Sequence, residues 1–187
     1  LRENLQKDER EIKKSMKAEM LVRIEVLKNL VAKQKLDDAK EWVSTFLESG
    51  EKLVVFATHL EVIESLCEAF PDAVSITGET SAEERQRVVE KFQNDENVKL
   101  AVLGLKAAST GITLTAASNV AFLELGWTPA DMQQAEDRVY RIGQRNAVNV
   151  WYLLAKDTID VEIAALIDIK SGATKEAIEG VDVEQGD

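Results

Sequence analysis

From Lys52 onward the chain alternates short, uninterrupted apolar runs with stretches of helical periodicity, and this rhythm limits its fold more than any other feature. Leu53 to Ala57, Val74 to Ile76, Leu100 to Leu103, Val120 to Leu123 and Val148 to Leu154 read as strands. Helical spacing follows the first run as far as Phe70, then recurs from Ser81 to Phe92, near Ala130 to Tyr140 and from Ile159 to Ile169. Strands that lack polar alternation are buried on both faces, so the expected class is α/β, a mostly parallel sheet flanked by helices. Ligands of such sheets sit beyond the carboxyl ends of the strands, which directs attention to the segments after Ala57, Ile76, Leu103 and Leu123.

The first third reads as helix. Met20, Ile24, Leu27 and Val31 recur at helical spacing, and Leu36, Ala39, Val43, Phe46 and Leu47 repeat the pattern until Gly50. Residues before Met20 carry dense mixed charge and read as a solvated helix. The expected division is a helical protrusion over 1–35, an α/β lobe over 36–157, a C-terminal helix over 158–178 and a disordered acidic tail over 179–187. A start at Leu1 rather than Met suggests a piece of a longer polypeptide. With 187 residues, 45% hydrophobic and 30% charged, one substantial core is expected. Trp42 and Trp151 fall inside periodic segments and read as core. The single cysteine, Cys67, sits among Val62, Ile63, Leu66 and Phe70 and reads as a small buried thiol. No apolar stretch approaches the length of a membrane span, so an intracellular protein without a membrane partner is expected, nuclear in a eukaryote or in the cytoplasm and nucleoid of a prokaryote. The net charge of -11 argues against a general electrostatic grip on nucleic acid, so any such claim must rest on local motifs.

The most informative motif is Gln134-Ala-Glu-Asp-Arg-Val-Tyr-Arg-Ile-Gly-Gln144. If it is helical, Met132, Ala135, Val139 and Ile142 share a packing face while Gln134, Arg138 and Arg141 point outward. Two forked guanidiniums and an amide suit a triphosphate, but spacing equally allows Arg138 to pair with Glu136 or Asp137 on an ordinary surface helix. Upstream, Ile76-Thr-Gly-Glu-Thr-Ser-Ala-Glu-Glu-Arg85 combines Gly78 with an N-cap at Ser81 and Glu84 at the third helical position, the pattern of a capping box and of an anion-receptive helix start. Small residues around Gly111 follow the strand end at Leu103, with Lys106 and the hydroxyls of Ser109 and Thr110 as donors. Trp127, just ahead of a Pro-started helix, can stack on a sugar or base or can cap the sheet. His59 has no second His or Cys nearby, so no metal site is expected.

The run from Gln134 to Gln144 resembles the last helicase motif of the Swi/Snf-type ATPases of superfamily 2. The other segments resemble that family's preceding motifs in order, and the likeness extends from about Met20 to Glu179. It implies the C-terminal RecA-like lobe of an ATP-dependent double-stranded DNA translocase. By that resemblance Arg138 and Arg141 are arginine fingers that Gln134 and Asp137 position. Gly111 and Thr113 belong to a segment that contacts both ATP and DNA. Gly78, Thr80 and Ser81, with Arg85 bracing their loop, match the segment that touches the DNA backbone. Lys106, Ser109 and Trp127, with Thr58 and His59, complete the implied DNA contacts. The implied partners are duplex DNA and an N-terminal RecA-like lobe of the same protein. ATP and Mg2+ would be held mainly by that lobe, because this chain has no phosphate-binding loop and no Asp-Glu pair after a strand. The isolated chain is therefore expected to be inactive. Ala108 and Ser109 replace the two glycines of most remodellers, and Thr113 and Thr128 each replace an asparagine, which shifts the likeness toward annealing helicases and fork-remodelling enzymes. Asp137 and Gln144 depart from the His-Arg-x-x-Arg-x-x-Arg pattern of an RNA helicase lobe. A non-catalytic interaction module on a motor fold is the other alternative that the acidic charge permits.

Overall fold

The computed structural model describes residues 2–144 and 146–168, with side chains from 14 onward except those of 108–110. Two helices, α1 (Arg2–Gln34) and α2 (Leu36–Leu47), lead into β1 (Leu53–Ala57). The alternation then runs α3 (Leu60–Ala69), β2 (Val74–Ile76), α4 (Ala82–Asn94), β3 (Leu100–Gly104), a 3-10 turn (Leu105–Thr110), β4 (Asn119–Phe122), α5 (Pro129–Glu136) and β5 (Asn149–Tyr152). A last helix, α6, covers 159–168. The expected helix over 169–178 and the acidic tail over 179–187 lie outside the described residues.

All five strands are parallel, in the order β2-β3-β1-β4-β5. Every residue of the central strand β1 is fully buried, as its unbroken apolar run requires. Val54 and Phe56 face a core completed by Phe92, Met132 and Val139, whereas Leu53, Val55 and Ala57 face a second core with Val43, Val62 and Leu66. Phe56, Phe122 and Tyr152 stack across β1, β4 and β5 at centroid separations of 5.4 and 5.5 Å. The chain leaves β1 toward β3 and β2, and leaves β4 toward β5. The crevice where the connections diverge therefore lies between the carboxyl ends of β1 and β4.

Several expectations are corrected. The stripe Met20, Ile24, Leu27 and Val31 does not pack as a unit, since Met20 and Leu27 are 63% and 47% exposed. The docked face of α1 instead carries Lys28, Val31 and Ala32, because two buried lysines reach main-chain oxygens at strand ends. Lys28 Nζ donates to Leu125 O at 2.9 Å. Lys35, just past the helix, donates to Leu153 O at 2.6 Å and to Asp160 at 2.5 Å. Trp151 is not core. It is 43% exposed on the edge strand β5, with its ring 5.7 Å from the half-buried Trp42.

The helix expected to reach Tyr140 ends at Glu136. Beyond it, Arg138 N and Val139 N bond three residues back, to Ala135 O and Glu136 O, and the Arg138 carbonyl is taken by the N–H of Leu114 at 2.8 Å. A carbonyl claimed by a neighbouring loop cannot continue the helical ladder. Met132, Ala135 and Val139 are buried as expected, but Ile142 is fully exposed, because the turn carries it away from the packed face. Cys67 is half-buried, and desolvation pushes its thiol pKa up.

Candidate nucleotide and nucleic-acid interface

The candidate residues fall in two distinct regions, one at the carboxyl ends of β1 and β4 and one in the segments that lead into β4 and β5. At the β1–β4 crevice the buried carboxylate of Glu124 accepts the backbone N–H groups of Thr58 at 2.8 Å and His59 at 2.9 Å, and pairs with His59 Nδ1. The main-chain N–H groups of Thr58 and His59, two residues expected to contact DNA, are thus engaged within the lobe. The opening found in related sheet architectures is plugged here by one side chain.

The turn after β4 is tightly built. Thr128 and Asp131 cap each other reciprocally at the start of α5, with Pro129 in its first turn. A Cβ on Gly126 would lie 2.7 Å from the Asp131 Cβ, so only glycine fits there. This geometry presents Trp127 at the rim rather than in the sheet core. Its indole N–H donates to Glu25 at 2.6 Å, and the Lys28 ammonium lies 4.5 Å from the ring centroid. Burial lowers the Lys28 pKa, an effect opposed by Glu25, Glu124, Asp160 and Asp131. Helix α1 therefore orients the aromatic ring.

Trp127, Lys106, Thr58 and Gln134 line one cleft of about 480 Å³. Thr80 stands apart in the turn after β2, where its hydroxyl accepts from Thr77 N at 2.9 Å. Arg85 braces that turn through Thr80 O at 3.0 Å, and Ser81 caps α4 by accepting from Glu84 N at 3.2 Å. Gly78 is exposed, with open space where a side chain would stand. The side chain of Ser109 lies outside the described set.

The second region is the turn 137–144, laced to the loop 111–117. Gly111, in the left-handed conformation at φ 74°, ends the 3-10 turn. Arg141 donates to the Thr113 hydroxyl at 2.7 Å and to Ile112 O at 3.4 Å. Gln144 reaches Ala117 O at 2.5 Å. Arg138 is only 9% exposed, and its Nε donates to Gln134 O at 3.1 Å. Gln134 thus holds Arg138 through its carbonyl while its own side chain lines the Trp127 cleft, so the three residues do not share one helical face. Among the described residues no carboxylate pairs with either guanidinium. Glu136, whose pKa is raised by burial, accepts instead from the Tyr152 hydroxyl at 3.0 Å. Asp137 joins both arginines, Thr113 and Gln144 around an open concavity of about 810 Å³.

A cationic fork that no carboxylate neutralises, set in a concave surface, is suited to phosphate. Among the described residues no cluster of three or more His, Cys, Asp or Glu side chains is placed to hold a metal ion, and no helix is long and apolar enough to cross a membrane. The model of the helicase conserved C-terminal domain matches residues 34–143, which include Thr58, His59, Glu124, Arg138 and Arg141. The chain belongs to that family. Its relatives include the SWI/SNF-related matrix-associated actin-dependent regulator of chromatin subfamily A-like protein 1 of Xenopus tropicalis. That protein is 42% identical over 147 residues, covering 76% of this chain and 16% of the relative. Human DNA annealing helicase and endonuclease ZRANB3 is 36% identical over 157 residues, or 79% of this chain and 15% of that one. This helicase lobe thus spans about a sixth of the length of these curated relatives. The C-terminal part of the Fun30 ATPase domain superposes with a TM-score of 0.65 at 30% identity, covering 71% of this chain and 44% of that one. The sheet and its helices are those of a RecA-like lobe.

Glu25, Lys28 and Glu124 were not identified as candidates from the sequence. A carboxylate between Leu123 and Leu125 at the end of an apolar run was a usable signal, since charge in such a place demands partners. Glu25 and Lys28 sit in a helix dense in charge, where nothing local separates them from their neighbours.

Proposed function

We propose that this lobe is the second motor half of an ATP-dependent double-stranded DNA translocase, and that Arg138 and Arg141 are its arginine fingers. The observation that carries the reading is the pair of guanidiniums held by neutral oxygens at one edge while their open side meets no carboxylate. Arg138 and Arg141 would hold the terminal phosphates of ATP, whose Mg2+ and phosphate-binding loop belong to the first lobe, and would stabilise charge as the terminal phosphoryl group leaves. Asp137 and Gln134 frame that turn, and Gly111 and Thr113 position Arg141 from behind.

Trp127 and Lys106 would meet DNA from the adjoining cleft, with Gly78, Thr80 and Ser81 supplying backbone contacts from the turn after β2. Approach and separation of the two lobes would then move this surface along one strand. The name of the human relative, a DNA annealing helicase and endonuclease, supports DNA over RNA as the nucleic acid.

The test is steady-state turnover of the full-length enzyme at saturating ATP and DNA. Arg141→Ala should lower it about 10³-fold or more while the melting temperature holds. Near-normal turnover in Arg138→Ala and Arg141→Ala would remove the catalytic assignment and favour a non-catalytic module. DNA-stimulated hydrolysis by the isolated 187-residue chain would contradict the division of labour between lobes.

A further inference from the structure

The outer face of α1 is the largest feature that this mechanism leaves unused. Met16, Met20, Val22, Val26, Leu27 and Leu30 are each between 47% and 64% exposed, on a helix already docked through Lys28, Val31 and Ala32. Single exposed apolar residues are ordinary, but this many within about four helical turns form a patch of the kind that marks an interface.

Beside the patch, Leu21, Val22, Val26, Asn29, His59 and Trp127 line a groove of about 590 Å³, with Glu25 in its wall. Glu25 Oε2, Asn29 Oδ1 and, on the neighbouring side of Trp127, Thr58 Oγ1 are shielded from solvent without a hydrogen-bond partner. Glu25 Oε2 and Asn29 Oδ1 can only accept and the Thr58 hydroxyl can accept as well as donate, so a donor group would satisfy all three. His59 Nε2 lies 3.7 Å from Glu25 Oε2, beyond hydrogen-bond reach. An arginine, with its fork of five N–H donors, can answer a carboxylate and an amide oxygen together.

We infer that this face of α1 is a docking surface for an apolar segment bearing an arginine, supplied by the part of the same polypeptide outside this chain. The inference rests on the reading that the lobe works within a longer motor. The relatives' extra length favours a partner in cis, where the effective concentration is high. Helix α1 also lies almost wholly ahead of the residues 34–143 that match the helicase C-terminal domain. A mainly apolar groove whose one carboxylate is Glu25, with no Lys or Arg in its lining, is a poor seat for the DNA backbone.

The experiment places a benzophenone amino acid at position 22 of the full-length protein. After irradiation with and without DNA, the cross-linked peptides are identified by mass spectrometry. The expected product joins α1 to a peptide of the same molecule, outside these 187 residues, with an arginine among apolar residues. Val26→Asp should reduce its yield roughly ten-fold, because the new carboxylate would be buried unpaired. Glu25→Gln keeps an acceptor for Trp127 but removes the charge, and should also lower the yield. Cross-linking to DNA, to a second copy distinguished by isotope labelling, or to no peptide beyond this chain overturns the inference, as does a yield indifferent to both substitutions. DNA-stimulated ATPase measured on the same samples separates the two readings. An active enzyme without the cross-link sinks only the docking surface, and the cross-link in an enzyme that DNA does not stimulate sinks only the motor.

Discussion

Two regions at the rim of one sheet treat buried charge in opposite ways. At the β1–β4 crevice, Glu124 is 3% exposed and is engaged on both oxygens, by two backbone N–H groups on one and by His59 on the other. At the turn after α5, Arg138 is 9% exposed and meets only the Gln134 carbonyl. A charge whose partners are all supplied contributes to stability, whereas one left without a counter-charge is available to a ligand. On the function proposed above, the crevice is a structural feature and the turn is where a ligand would bind.

The strongest attempt to break this contrast keeps the positive charge and changes its shape. Arg141→Lys should still lower turnover of the full-length enzyme by about 10²-fold or more, because an ammonium cannot both hold the Thr113 hydroxyl and present a fork to phosphate. Its melting temperature should stay put. Recovery of normal turnover would reduce the turn to a simple positive patch.

On the crevice side the balance should reverse. Glu124→Ala strands two backbone donors and His59, and should cost about 3 kcal/mol of stability, read by denaturant unfolding. Glu124→Gln keeps an acceptor and should cost less. If Glu124→Ala instead left stability unchanged and abolished turnover, the two regions would have exchanged roles.

A smaller effect lies at the boundary between them. Lys28→Met removes the ammonium above Trp127 and its bond to Leu125 O, at a cost of about 1–2 kcal/mol. Trp127→Ala should impair translocation more than basal ATPase, and Lys28→Met should do the same in weaker form by freeing the ring. Equal losses of both activities would indicate general destabilisation.

The smallest effect concerns Tyr152, whose pKa is pushed up to about 12 by burial and by Glu136. Between the ordinary tyrosine value and about 12 the unfolded chain has lost this proton while the folded chain keeps it, so stability falls as pH rises through that window. Tyr152→Phe should flatten that part of the melting profile slightly, since the half-exposed group is well screened. An unchanged slope would place the alkaline transition elsewhere.

The sheet was legible in the residues because it depends on local pattern. Leu53 to Ala57 and Val74 to Ile76 are strands as read, since their apolar runs leave no solvated face, and Ser81 caps α4 because capping is settled within a few residues. The motif from Gln134 to Gln144 drew attention to its two arginines, but spacing left their role open and only the family resemblance implied it. What sequence periodicity could not supply was the end of α5 at Glu136, because the Leu114 N–H that claims the Arg138 carbonyl comes from a distant loop. Nor could it distinguish Glu25 and Lys28 from the other charges of α1, because their roles exist only where that helix crosses Trp127 and the end of β4. Local propensity and burial pattern are properties of neighbours along the chain and determine the elements. Partnership between charges depends on distances of a few ångströms across the fold, and only the tertiary structure decides which charges are satisfied and which stay open.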